Sequence, residues 1–253
     1  MKITLYGIPS SHPVRAAQLM LEYKGVPFRR VNMLPVLSRQ VVPHVLRFPS
    51  NRVPAIKIDG RKVQGTREIA VELERLTPEP PLFPGDPAVR DKVDQAEHWG
   101  DEFQQFPRTI IWWAMSKAPA SDQESYLKDA KLGLPPSVLA RTGGPIIWGA
   151  RRANDSYDPQ VRALLEKLPE QLDKIDAWIG EGVLNGEQLN VADFQIGTSL
   201  RLLMSMQDLR PAIEARPAGA LATRVQPEPP GDLRSVFPPE WLEPLRAGAT
   251  ATV

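Results

Sequence analysis

The chain contains no cysteine in its 253 residues. That absence excludes disulfides, thiolate metal sites and any chemistry in which the protein supplies a sulfur, so a thiol that takes part must arrive with a ligand. Histidine is nearly as scarce. The three present are scattered, give no ligand pair, and no metal is expected. A charge excess is also missing: 31 Lys and Arg stand against 30 Asp and Glu, a net charge of +1, which implies neither a nucleic acid nor an anionic membrane as partner. No run approaches the roughly 18 apolar residues of a membrane span, and the N-terminus lacks the basic stretch and apolar core of a secretory signal. The expected location is the cytoplasm. No glycine loop matches a phosphate cradle. What is present is an ordinary globular composition, 42% hydrophobic and 24% charged, with enough chain for one or two cores.

The first eighty residues alternate between strand and helix patterns. Lys2 to Tyr6 reads as a strand, and Pro13 to Lys24 as a helix with Val14, Ala17, Met20 and Leu21 on one face and Gly25 as its stop. Phe28 to Met33 gives a second strand. A short helix near 38 to 47 is interrupted by Pro43. The stretch VPAIKIDGRKVQ then predicts two strands joined at Asp59-Gly60, because a two-residue hairpin turn needs positive φ at both central positions. Thr66 to Leu76 follows as a helix.

Five prolines in the eleven residues from 77 to 87 forbid helix and sheet alike and read as a linker. Beyond it the periodicity is helical. Val89 to Met115 carries Trp99, Phe103, Phe106, Ile110 and Trp113 at alternating steps of four and three, with a kink expected at Pro107. Short helices are expected over ESYLKDAKLGL and GPIIWGARR. Asp158-Pro159 predicts a cap and first helical residue, and Asn190 with Asp193 predicts a capped helix start. The last thirty residues are proline-rich, with Phe237, Trp241 and Leu242 as their anchors.

Three patches in this order carry a likeness. Val53-Pro54-Ala55-Ile56 stands ahead of the hairpin, Gly65-Thr66-Arg67-Glu68-Ile69 opens the next helix, and Asn190-Val191-Ala192-Asp193 opens a helix in the second half. Together they resemble the cytosolic glutathione transferases over roughly residues 1 to 225, in particular the serine-type, delta-, theta- and zeta-like members. The resemblance implies an α/β thioredoxin-like domain (βαβ-αββα, residues 1 to 77), a linker (78 to 87), an all-α substrate domain (88 to 225) and a proline-rich tail (226 to 253). It also implies a homodimer, with glutathione as co-substrate and an apolar electrophile as the second substrate.

The site residues follow from the same resemblance. A cis Val53-Pro54 bond would turn the backbone of Val53 toward an extended peptide ligand, while Gly65, Thr66 and Arg67 lie where the family holds the γ-glutamyl carboxylate. Gly65 departs from the family's usual Glu or Gln, which removes one side-chain contact. Asn51 and Arg52 fit the glycyl carboxylate by position, with Gln40, His44 and Arg47 as further candidates. For the sulfur, Ser11 is the first choice, Ser10 the second and Tyr6, where tyrosine-type members keep a phenol, the third. Pro13 at the first helical position would leave His12 at the cap and Ser11 just outside it. Ile8, Phe103, Phe106 and Trp112 are candidates for the electrophile pocket. Two other readings stay open: a non-catalytic binding or scaffold protein of the same fold, and an enzyme that uses a different low-molecular-weight thiol.

Overall fold

The computed structural model describes residues 1–128 and 133–249. Its first part is a four-stranded sheet in the order β2-β1-β3-β4, built from β1 (Ile3–Gly7), β2 (Arg29–Asn32), β3 (Ala55–Ile58) and β4 (Arg61–Gln64). β1 pairs parallel with β2 and antiparallel with β3, with Tyr6 opposite both Val31 and Ala55. The parallel pair needs a crossover, which α1 (His12–Tyr23) supplies. The β3–β4 turn is Asp59-Gly60, both at positive φ, as its sequence predicts. Because strand residues alternate in direction, Ile3 and Leu5 enter the main core, while Tyr6 joins a small cluster of Met33, Val42, Phe48 and Ala55.

The interrupted helix expected near 38 to 47 is two pieces, α2 (Pro35–Gln40) and a wide turn over Val41–Val45. In that turn the N–H of Leu46 reaches back five residues to Val41, around a proline that has no N–H to give. After α3 (Thr66–Leu76) the proline-rich stretch is anchored: Leu82 and Phe83 are buried, and the carbonyl of Leu82 accepts from the N–H of Val191.

The second part is helical: α4 (Pro87–Phe103), α5 (Gln105–Lys117), α6 (Ala120–Ser125), α7 (Pro136–Thr142), α8 (Gly144–Ala153), α9 (Asp158–Gly180), α10 (Val191–Leu203), α11 (Arg210–Glu214), α12 (Pro217–Val225) and α13 (Glu243–Ala249). The helix expected from Val89 to Met115 breaks at Gln104 rather than kinking at Pro107. A proline ring collides with the carbonyl four residues earlier. That residue is Phe103, where α4 ends, and Pro107 sits in the first turn of α5. Asp158 is the first residue of α9 and not its cap, which is Tyr157. Its carboxylate is taken by Trp113, whose Nε1 donates at 2.7 Å. Of the helix expected over 124 to 134, residues 124–125 belong to α6, 126–128 form a turn, and 129–132 lie outside the described residues.

α10 is buried along all thirteen of its residues and packs against α1, α4 and α12. A single apolar core therefore runs from Leu5 and Ile69 through Ile196 and Leu200 to Phe237 and Leu245. Asn190 and Asp193 form the expected capping box at its start. Among the described residues, no helix is long and apolar enough to cross a membrane.

Candidate active site

A cleft of about 1160 Å³ opens where the C-terminal end of β1, the start of α1, the segment before β3 and the start of α3 face α5 and α8. Tight packing brings α1 to this rim: a Cβ on Gly7 would collide with the side chain of Val14, so glycine lets the helix begin directly behind the strand. The chain enters α1 through Ser11, whose extended backbone makes it the cap, with His12 and Pro13 as the first two helical residues. This places the hydroxyl one position nearer the helix than its sequence suggests, since a proline fits anywhere in a first turn that has no N–H partner to lose. The N–H groups of His12 and Val14 are left at the positive end of the helix.

The three candidates for the sulfur contact differ sharply. Ser11 lines the cleft, is half buried, and its hydroxyl has no hydrogen-bond partner among the described residues. Ser10 also lines the cleft, but its hydroxyl donates to the Tyr126 carbonyl at 2.5 Å and lies 3.3 Å from that of Pro230. Its proton is committed to the other half of the molecule. Tyr6 is off the cleft: strand alternation turns it to the opposite side of the sheet, where its ring meets Phe48 edge-on at 6.0 Å. His12 lines the cleft, yet only 5% of its surface is exposed. Burial, reinforced by the nearby charge of Arg108 and opposed by a hydrogen bond to the Gln104 backbone, lowers its pKa to about 3, so it is neutral.

Across the cleft, the Val53–Pro54 peptide is cis. The N–H and C=O of Val53 make no hydrogen bond among the described residues, whereas Pro54 accepts from Gly65. Gln64 fixes the approach to this point, donating to the carbonyls of Ser50 at 2.9 Å and Arg52 at 2.6 Å and accepting from the Ser50 hydroxyl. Asn51 and Arg52 are thereby held on the rim with exposed side chains, while Gln40, His44 and Arg47 are not among the lining residues.

At the start of α3, Gly65 has φ +108 and ψ 150, backbone that side chains rarely adopt. A Cβ there would meet the Glu68 carboxylate. The Glu68 carboxylate thus occupies the space that a side chain at position 65 would enter. Thr66 is buried and opens the helix, with the N–H groups of Thr66, Arg67 and Glu68 unspent ahead of the Ile69-to-Gly65 bond. The Arg67 side chain is engaged elsewhere: its guanidinium bonds Glu97 at 2.6 Å and Asp94 at 3.2 Å on α4. Burial nevertheless raises the Glu97 carboxyl above the usual range.

On the helical wall, Trp112 lines the cleft beside Ile111 and Met115, and Ile8 lines it from the first part. Phe103 and Phe106 do not. Phe103 is stacked between Trp99 at 4.8 Å and Phe106 at 5.5 Å, so the break at Gln104 turns this aromatic row into the core. Arg108, missed by reasoning from the aromatic stripe, projects into the cleft. The signal for it was a charge one turn ahead of Ile111 and Trp112. Burial holds its pKa below that of a free guanidinium, with Asp101 opposing the shift and Arg52 adding to it.

Residues 5–81 match the family model described as the N-terminal domain of glutathione S-transferase. No curated protein sequence matches significantly. Among solved structures, the chain is similar to the beta-etherase LigF from Sphingobium sp. strain SYK-6 (TM-score 0.64, 20% identity, 91% of this chain and 97% of that one). It is also similar to FzlA from C. crescentus (TM-score 0.56, 20% identity, 98% and 92%). A third likeness is to a glutathione S-transferase from Methylobacterium radiotolerans, solved in complex with glutathione sulfonate (TM-score 0.54, 17% identity, 94% and 98%). At such identities the likeness to the solved structures is one of fold.

Proposed function

We propose that this chain, whose residues 5–81 match the N-terminal domain of glutathione S-transferase and whose fold is similar to solved structures of such proteins, is a glutathione transferase in which Ser11 holds the sulfur as a thiolate. The observation that carries this reading is the free Ser11 hydroxyl at the start of α1, facing the unpaired backbone of Val53 across the cleft. The tripeptide lies extended, its cysteinyl backbone pairing with Val53 as a further strand would. Its γ-glutamyl carboxylate meets the Thr66 hydroxyl and the N-terminal amides of α3, and its amino group meets Glu68. Asn51 and Arg52 take the glycyl carboxylate.

Lowering a thiol pKa by two units requires about 2.7 kcal/mol of preference for the anion. One charge-assisted hydrogen bond contributes about 1.5–3 kcal/mol and the helix dipole about 0.3–1, which suffices. The thiolate then attacks the electrophile's carbon: a C–S bond forms and the leaving group departs with the electron pair of the broken bond. In the family, such chains pair as homodimers, and this one is expected to do so.

Calorimetric titration with reduced glutathione tests the reading. Saturable binding at micromolar to low millimolar concentration is expected, with proton release that Ser11→Ala abolishes and Ser10→Ala retains. Glu68→Gln is expected to weaken affinity about tenfold, the effect of one charge-assisted contact. Absence of binding up to about 10 mM, weaker than roughly −3 kcal/mol, would leave a scaffold protein or a different thiol.

A further inference from the structure

On α5 the side chains of Arg108, Ile111, Trp112 and Met115 share one face, and all four line the cleft. Three are apolar and one is a cation. Arg108 is half buried, and its Nη1 donates to Gln105 at 2.8 Å. Among the described residues, no carboxylate lies within ion-pair distance of it. The other arginines of the cleft differ: Arg67 is paired with Asp94 and Glu97, and Arg39 and Arg52 are exposed to water. The charge of Asp101 acts on this guanidinium from beyond ion-pair distance and does not offset its burial, so it has given up hydration and gained little in return. An anion placed in the cleft restores what it has lost.

On the reading above the carboxylates of glutathione go to the start of α3 and to the Asn51-Arg52 rim of the first part, while Arg108 stands on α5; because the charge of Arg52 reaches Arg108, the titration of reduced glutathione against Arg108→Met separates the two assignments. Arg108 is left facing the second substrate. We propose that this end of the cleft takes an electrophile bearing a carboxylate, the anion gripped by Arg108 and its apolar body covered by Ile111, Trp112 and Met115 and by Ile147 of α8. The planar fork of arginine suits a carboxylate better than a point charge would. This inference rests on the glutathione reading and deepens it: the electrophile is amphipathic and not merely apolar.

The test needs no turnover. Calorimetry would compare reduced glutathione, S-(4-carboxybenzyl)glutathione and its benzoate methyl ester on the wild-type chain, on Arg108→Met and on Arg108→Lys. The wild type is expected to bind the carboxylate conjugate about tenfold more tightly than the ester, equivalent to about 1.4 kcal/mol. Arg108→Met is expected to erase that preference while reduced glutathione binds as before, and Arg108→Lys to keep part of it. Equal affinity of the wild type for the two conjugates overturns the inference and leaves the glutathione reading intact. A tenfold loss of reduced glutathione in Arg108→Met also overturns it, assigning Arg108 to the thiol's own carboxylates. If none of the three ligands binds, the glutathione reading fails and this inference falls with it.

Discussion

His12 is buried at the start of α1 with a pKa lowered to about 3, while an unfolded chain titrates its histidines near 6.5. Below pH 6.5 the unfolded state therefore binds a proton that the folded state refuses, and stability falls as the pH drops toward 3. Between pH 7 and 5 this one residue is expected to remove about 2 kcal/mol. In His12→Leu that loss is absent, so urea unfolding at both pH values should show the variant gaining on the wild type as the solution is acidified; parallel curves would refute the assignment. Gly7 acts through space instead of charge. Gly7→Ala drives a methyl group into Val14, and is expected to cost about 1–3 kcal/mol, as overpacking does, and to weaken glutathione binding by displacing Ser11. At this scale the lining of the cleft was partly legible. Ser11, Val53 and Thr66 stand out because a hydroxyl ahead of a helix and a proline ahead of a hairpin are local signals. Tyr6, Ser10 and Arg67 read the same way locally, and their placements are decided by residues far along the chain: Phe48, Tyr126 and Glu97.

Helix ends show the same division between local and distant control. Asp86 and Asn190 cap α4 and α10 through the amides two and three residues ahead; Asn190 is readable as a cap from the sequence, whereas Asp86 falls in the proline-rich stretch that reads as a linker. They differ in burial. Asn190 also donates to the Val183 carbonyl at 2.9 Å and is buried, whereas the Asp86 contacts are exposed. Asn190→Ala strands that carbonyl as well as the amides, and is expected to cost about 2–3 kcal/mol, against about 1 for Asp86→Ala. Chemical denaturation of the two variants measures the difference, and equal losses would show that the buried contact adds nothing. Asp158 was misread as a cap because nothing near it in sequence announces that Trp113, 45 residues earlier, claims its carboxylate. The α4–α5 break was misplaced for a different reason: a proline disturbs the turn before it, so the sign at 107 describes an event at 103 to 104.

Across the whole molecule, the tail is the part that periodicity describes least, because its contacts are long-range; its prolines read as irregular chain, yet a short turn over Pro239–Leu242 leads into α13. The structure nevertheless builds it in. Arg234 forks onto Asp122 at 2.8 Å, the N–H groups of Val236 and Phe237 both donate to Asp208, and the Phe237 ring stacks on Trp113 at 5.1 Å with Trp241 at 5.2 Å on the same indole. Pro230 also lies against the Ser10 hydroxyl, so the tail reaches the rim of the cleft. The Arg234 side chain is exposed, but Asp122 is buried and accepts from both the guanidinium and the backbone N–H of Arg234, so this ion pair and the stacked aromatics share the attachment. Phe237→Ala is therefore expected to cost about 3–5 kcal/mol, as emptying a core aromatic site does. Because one apolar core spans both halves and the tail, the loss should lower a single unfolding transition and not split it. Differential scanning calorimetry decides between these outcomes. A separate early transition, or a loss below about 1 kcal/mol, would mean that the tail is appended to a core complete without it.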